Sequence, residues 1–275
     1  MVRLSPRTMS TTAAPDQIYF LHIPRTGGGS LNRILEAQFT PEQIAPMRLM
    51  QHLAKAVGDE RDLGKYSFVR GHFGHTILSY LPARPQVITM LREPVARTVS
   101  RFHWAAAQGD ANPIGNEFRP DISIDEYVAA DWAGQLLTNF QTRNIALNFD
   151  LTRRHLDRDG NEIILSQSQL PTHLTTNMSD DELLARAKQR LADFEFVGVT
   201  ERFTETVQLM CHNFGWPEPS EPPYVHKTTT REPSPQSLSA DTRARIEDLT
   251  RLDGELYRFA CDLFDRRYAE SPLGH

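Results

Sequence analysis

The chain has 275 residues, of which 39% are hydrophobic and 24% charged, and it carries a formal net charge of −5 at pH 7. That length and apolar content are enough to bury one α/β-sized core. The acidic balance excludes a broadly basic surface for nucleic acid, so any anion must be met by a local cluster.

Residues 1–16 hold Arg3, Arg7 and several Ser and Thr but no apolar run, which fits neither a secretory signal nor a membrane span. The expectation is a flexible leader over 1–16, a single domain over 17–267, a short tail over 268–275, and a cytoplasmic protein. Both cysteines, Cys211 and Cys261, fall in helical patterns without CxxC or histidine-rich company, and read as reduced thiols.

Four short apolar runs read as strands: Gln17 to Ile23, Tyr66 to Arg70, Gln86 to Leu91 and Phe194 to Val199. Helical spacing follows the first (Leu31, Ile34, Leu35), the third (Val95, Val99, Phe102) and the fourth (Phe203, Val207, Met210). Strand and helix in alternation predict an α/β fold with a parallel sheet flanked by helices on both faces. Pro94 suits a first helical position, Ser123 with Glu126 and Ser179 with Glu182 fit capping boxes, and Gly215 fits a helix stop. The proline-rich stretch from Trp216 to Ser237 reads as an irregular loop. One last helix is expected from Ala240 to about Arg267. Polar segments at Gly109 to Ile122 and Asp157 to Gly160 read as loops, the former a place for substrate specificity.

The first strand runs into "FLHIPRTGGGSLNRIL", residues Phe20 to Leu35. Gly27, Gly28 and Gly29 let backbone N–H groups converge on a ligand, Ser30 is the expected cap of the following helix, and the helix N-terminus adds partial positive charge, a combination that suits phosphate. Arg25 supplies a full charge, and Thr26 and Ser30 supply hydroxyls. This is related to a Walker A loop but departs from it, because the cation precedes the glycines and no Lys-Ser/Thr pair follows them. The second and third strands run into Arg70-Gly71-His72 and Leu91-Arg92, with no acid for Mg²⁺; Glu201 after the fourth strand is the one exception. A phosphate handled without metal follows from this. Arg92 at a strand's C-terminal end and Ser100 eight residues on make a second anion site, in "VITMLREPVARTVSRFHW".

These residues resemble a known family. "HIPRTGGGSL" is similar to the 5′-phosphosulfate loop, usually HIPKTGGTSL, of the carbohydrate sulfotransferases that include heparan sulfate 2-O-sulfotransferase and many bacterial relatives. "LREPVARTVSRF" resembles their 3′-phosphate motif, and "FEFVGVTERF" and "NFQTRNIA" resemble further family segments. The resemblance implies a P-loop-NTPase-like fold that binds 3′-phosphoadenosine 5′-phosphosulfate without metal and passes sulfuryl to an acceptor hydroxyl, by preference on a glycan. Arg25, Thr26, Gly27, Gly28, Gly29 and Ser30 would then hold the phosphosulfate, and Arg92 with Ser100 the 3′-phosphate. Arg25 stands where the family usually has Lys, and Gly29 where it usually has Thr.

A hydroxyl acceptor needs a base with a pKa near the working pH, which favours histidine. His72, after the second strand and beside Gly71, is the candidate, with His75 its competitor and His22 expected to be packed. Arg25 would stabilise charge on the leaving phosphate. Arg143, in "NFQTRN", is a further cofactor-binding candidate against a solvated surface Arg, and so is Lys227, which lies with Arg231 on the proline-rich loop in "VHKTTTREP". Two other readings stay open: a P-loop-type kinase or hydrolase using ATP and Mg²⁺, and a nucleotide-binding protein without catalysis.

Overall fold

The computed structural model describes residues 17–108, 121–151, 155–156, 162–163, 176–220 and 233–274. All four extended runs form strands within two residues of the expected ends: β1 (Ile18–Leu21), β2 (Phe68–Gly71), β3 (Gln86–Leu91) and, after two short strands β4 (His155–Leu156) and β5 (Glu162–Ile163), β6 (Phe196–Val199). The four make one parallel sheet in the order β2-β1-β3-β6, while β4 and β5 pair with each other.

Helices cover both faces, because strand side chains alternate and neither set meets water. Tyr19 and Leu21 of β1 face α2 (Met50–Gly58), α6 (Phe140–Ala146), α7 (Asp180–Asp193) and part of α10 (Arg251–Ala269). Ile18 and Phe20 face α1 (Gly28–Glu36) and α8 (Phe203–Phe214). A third cluster joins Val95, Val99 and Phe102 of α3 (Pro94–Gln108) to α4 (Ile124–Ala129), α5 (Asp131–Leu137) and Ile246 of α9 (Ala240–Leu249). The expected local signals hold: Pro94 opens α3, both capping boxes form at Ser123 and Ser179, and Gly215 ends α8 at φ 67°. Cys211 and Cys261 are both free thiols.

The expected single last helix is two. The break falls at Thr250 (φ −115°, ψ 26°), and Asn139 makes it: its N–H donates to the Leu249 carbonyl at 3.0 Å, and its side-chain oxygen accepts the Leu252 N–H at 2.9 Å. A side chain inserted into the helical ladder bends it, whatever the continuity of the apolar stripe. No helix among the described residues is long and apolar enough to cross a membrane.

The chain goes from β1 out to β2 and then returns past β1 to β3, so β1 lies between them. Open parallel sheets carry their ligands where the strand order reverses in this way, outside the carboxyl ends. That crevice is bounded by the residues following β1, β2 and β3.

Candidate active site

Strand β1 ends at Leu21 and the next turn runs through Pro24 to Gly27 before α1 begins at Gly28. The cap of α1 is therefore Gly27, and Ser30 lies two residues inside the helix, a correction to the expected start. Gly27 adopts φ 79°, a left-handed conformation that requires glycine, and a Cβ there would also press on the Met90 side chain at 2.9 Å. Gly28 is held to glycine by packing: a Cβ would lie 2.1 Å from the His22 ring. Ser30 and Leu31 N–H groups bond the Gly27 carbonyl, which leaves the first helical amides, those of Gly28 and Gly29, for a ligand. The Thr26 hydroxyl is fully buried and donates to the Ile23 carbonyl at 2.9 Å. Thr200 pins the loop from β6, its hydroxyl set between the carbonyls of Thr26 (2.7 Å) and Leu91 (2.9 Å).

Arg25, Arg92 and Ser100, which come from two separate sequence segments, are brought together. The Arg25 main chain has φ 73°, uncommon for a residue with a Cβ, and its guanidinium donates through Nε and Nη2 to Ser100 Oγ at 3.1 and 3.0 Å. Arg92 Nη1 donates to the Arg25 carbonyl at 3.2 Å, and Arg92 Nε lies 3.9 Å from Glu201 Oε1. Burial lowers Arg25 to about 10, with Arg92 and Arg101 adding to the effect, so the group remains a cation at neutral pH.

Two arginines of α3 that the motif reading passed over join the cluster. Arg97 is buried, donates through Nε to the Pro24 carbonyl at 3.2 Å, and lays its guanidinium 4.1 Å from the Phe140 ring centre. Arg101 is buried with its guanidinium 4.7 Å from the Trp104 ring centre. Their spacing of one helical turn was a readable signal, since like charges four apart on a helix repel unless something offsets them. Arg143 is also buried rather than solvated. Lys227 and Arg231 lie outside the described residues, as do the segments 109–120 and 157–160.

His72 follows β2. Gly71 before it leaves room for the Arg48 carbonyl, which would meet a Cβ at 2.6 Å and which accepts the His72 N–H at 2.9 Å. The ring nitrogen Nδ1 lies 2.8 Å from the His22 carbonyl. A carbonyl only accepts, so Nδ1 carries the hydrogen and Nε2 is left with its lone pair. Burial holds His72 below the ordinary imidazole value, partly opposed by that hydrogen bond, and Arg101 and Arg48 lower it further. His22 is packed as expected, 5.3 Å from the Phe20 ring and 4.5 Å from the His72 ring between centres. His75 points elsewhere: its Nδ1 meets Asn148 Oδ1 at 2.8 Å, and burial with Arg190 lowers it to about 4.

The strand-end acid has its own partners. Glu201 Oε1 accepts the Glu93 N–H at 3.2 Å and Oε2 accepts the Tyr257 hydroxyl at 2.7 Å.

The chain is 28% identical over 292 residues to human heparan-sulfate 6-O-sulfotransferase 3, covering 92% of this chain and 58% of that protein. It is 29% identical over 284 residues to mouse heparan-sulfate 6-O-sulfotransferase 2, covering 92% and 45%. The chain is similar to these carbohydrate sulfotransferases over most of its length. It spans about half the length of these two relatives. Their names specify 6-O transfer, whereas the motifs resemble a family that includes a 2-O enzyme, so the similarity is to carbohydrate sulfotransferases and not to one position of transfer. No family model matches the chain. A crystal structure of a sulfotransferase from Alicyclobacillus acidocaldarius aligns with a TM-score of 0.42 and 16% identity, over 90% of this chain and 100% of that one.

Proposed function

We propose that this protein transfers a sulfuryl group from 3′-phosphoadenosine 5′-phosphosulfate to a carbohydrate hydroxyl, without a metal ion and with His72 as base. The observation that carries the reading is the set of buried guanidinium groups around the β1 loop. Among the described residues, Arg97 Nη1 and Arg92 Nε are buried without a hydrogen-bond partner, and no carboxylate pairs with Arg25 or Arg101. Glu201 beside Arg92 and Asp253 near Arg97 offset the burial of those two cations only in part, and buried cations with open N–H groups favour a further anion. A ligand with phosphate at two ends, one at the loop and one beside α3, meets that need.

The residues fit such a donor. The Gly28 and Gly29 amides, the Gly27 and Thr26 main chain, Ser30 and Arg25 would hold the phosphosulfate end, and Arg92 with Ser100 the 3′-phosphate. Ser100 Oγ only accepts from Arg25, so its own proton remains to be donated. The Lys-to-Arg departure has a physical counterpart here, because a lysine cannot make the two-pronged contact to Ser100. The Thr26 hydroxyl, spent on Ile23, contributes through its position rather than its proton.

The donor, when bound, supplies an activated sulfuryl group. His72 Nε2 takes the proton of the acceptor hydroxyl as that oxygen forms its bond to sulfur. Arg25 stabilises negative charge on the departing phosphate, being already oriented before reaction. The competing reading, ATP with Mg²⁺, would use Glu201 as a metal ligand, and that carboxylate is already engaged by Glu93, Tyr257 and Arg92.

Calorimetry decides between them: adenosine 3′,5′-bisphosphate with chelator is expected to bind, and ATP with Mg²⁺ more weakly. The reverse order would overturn the reading. Radiolabelled sulfate transfer onto a glycan panel then separates the enzyme from a binder without catalysis.

A further inference from the structure

Of the segment "NFQTRN", the residue most closely tied to the site is Gln141. It is fully buried on the second residue of α6. Its amide makes two hydrogen bonds to a single residue: Oε1 accepts the Arg92 N–H at 3.0 Å, and Nε2 donates to the Arg92 carbonyl at 2.8 Å. This is the pairing a neighbouring strand would offer, supplied by one side chain just beyond Leu91, where the β3–β6 ladder ends. Arg92 is thereby fixed through its main chain while its side chain remains in the crevice.

Gln141 is itself seated from below. Asp253 of α10 is fully buried, and its carboxylate accepts the N–H of Gln141 at 3.0 Å, the N–H of Thr142 at 2.8 Å and the hydroxyl of Thr142 at 2.7 Å. Bonds of this kind to a carboxylate are the stronger sort, and here they fix where α6 begins and so where its second side chain points. Two contacts lead on to the loop, Arg92 to the Arg25 carbonyl and Arg97 to the Pro24 carbonyl. The C-terminal helix is thus linked to the β1 loop through consecutive hydrogen bonds rather than through apolar packing alone.

We propose that Gln141, seated by Asp253, is a positioning residue that presets the Arg92 guanidinium for a phosphate of the bound nucleotide. The inference rests on the reading given under Proposed function. A purely structural Gln141 would fill a gap in the ladder and affect stability alone, and its effect on binding would not depend on the side chain of Arg92.

A double-mutant cycle separates the two. Calorimetric binding of adenosine 3′,5′-bisphosphate is measured for the wild-type chain, Gln141→Met, Arg92→Ala and the double variant, with thermal melts run alongside. Gln141→Met is expected to weaken binding about tenfold, the equivalent of roughly one good hydrogen bond. Arg92→Ala weakens it more, and adding Gln141→Met to Arg92→Ala changes nothing further. Should Gln141→Met fail to fold, Gln141→Glu keeps the acceptor and the size while losing the donor to the Arg92 carbonyl, and Asp253→Asn keeps the shape while weakening the seat; both are expected to couple to Arg92 in the same way. If the Gln141 variants bind as well as wild type, or lose the same factor with and without the Arg92 side chain, the inference is wrong. If the wild-type chain does not bind the bisphosphate, the functional reading falls and takes this inference with it.

Discussion

Two regions meet at the carboxyl end of the sheet and respond to burial in opposite ways. Around the β1 loop, burial takes Arg25 and Arg97 down to about 10, which still leaves both as cations at neutral pH. Just after β1 and β2, burial lowers His22 and His72 from an ordinary value of 6.5, which makes both neutral. The same desolvation therefore yields fixed positive charge on one side and an unprotonated base on the other, because guanidinium starts so much higher than imidazole. A site that must grip a doubly charged donor and also deprotonate an acceptor needs both outcomes, and one dry crevice provides them.

The division is tested most severely at the base. His72→Ala is expected to lower sulfuryl transfer about 10²–10⁴-fold while the bisphosphate dissociation constant stays within a factor of about three, since the donor side is untouched. Parallel loss of binding and transfer, by calorimetry and radiolabel assay, would show that the two regions are not separable.

On the arginine side, Arg25→Gly is expected to lower transfer about 10²–10³-fold. Its main chain already has φ 73°, where glycine is at ease and an L side chain is strained. The lost Ser100 contacts and the relieved backbone then offset one another, and calorimetric stability should move by no more than about 1 kcal/mol. A large drop in melting temperature would instead mark Arg25 as a structural residue.

Gly28 is where the regions touch, because it opens α1 directly after the loop and its missing Cβ is what admits the His22 ring. Gly28→Ala should cost about 1–3 kcal/mol through overpacking and should reduce binding and transfer together, since His22 carries the carbonyl that orients His72. An alanine variant with wild-type melting and wild-type rate would mean that the ring moves aside freely.

Much of this was legible in the sequence where chemistry and secondary structure coincide. The four strands, Pro94, the two capping boxes and Gly215 are local features, and local features survive folding. Arg25, Arg92 and His72 stood out because they follow strand ends, which is where a parallel sheet gathers its ligands, and the structure brings Arg25 and Arg92 together with Ser100 of α3. What was not legible depended on distant partners. Nothing near Asp253 in the chain announces that it will accept three hydrogen bonds from α6, and nothing near Asn139 predicts that it will break a helix 110 residues away. The cap of α1 was misplaced for a different reason: Ser30 is the better cap by composition, but Gly27 supplies the left-handed turn that brings the loop past Met90.

The smallest effect sharpens the comparison through pH. A group whose folded-state pKa is depressed binds fewer protons folded than unfolded, so stability rises with pH between the folded and unfolded values and is lost as pH falls through that window. For the arginines the window lies above about 10, and they contribute no slope at pH 5–8. His75 covers the interval from 6.5 down to about 4, lowered by burial, Arg190 and Arg84 and partly opposed by its hydrogen bond to Asn148. Because that ring is partly solvated, its share is discounted to about 1 kcal/mol lost between pH 6.5 and 5. His75→Gln should flatten the stability curve over this range without altering transfer at pH 7.5, whereas a curve of unchanged slope would assign the acid sensitivity to the His22 and His72 pair, and so to the site itself.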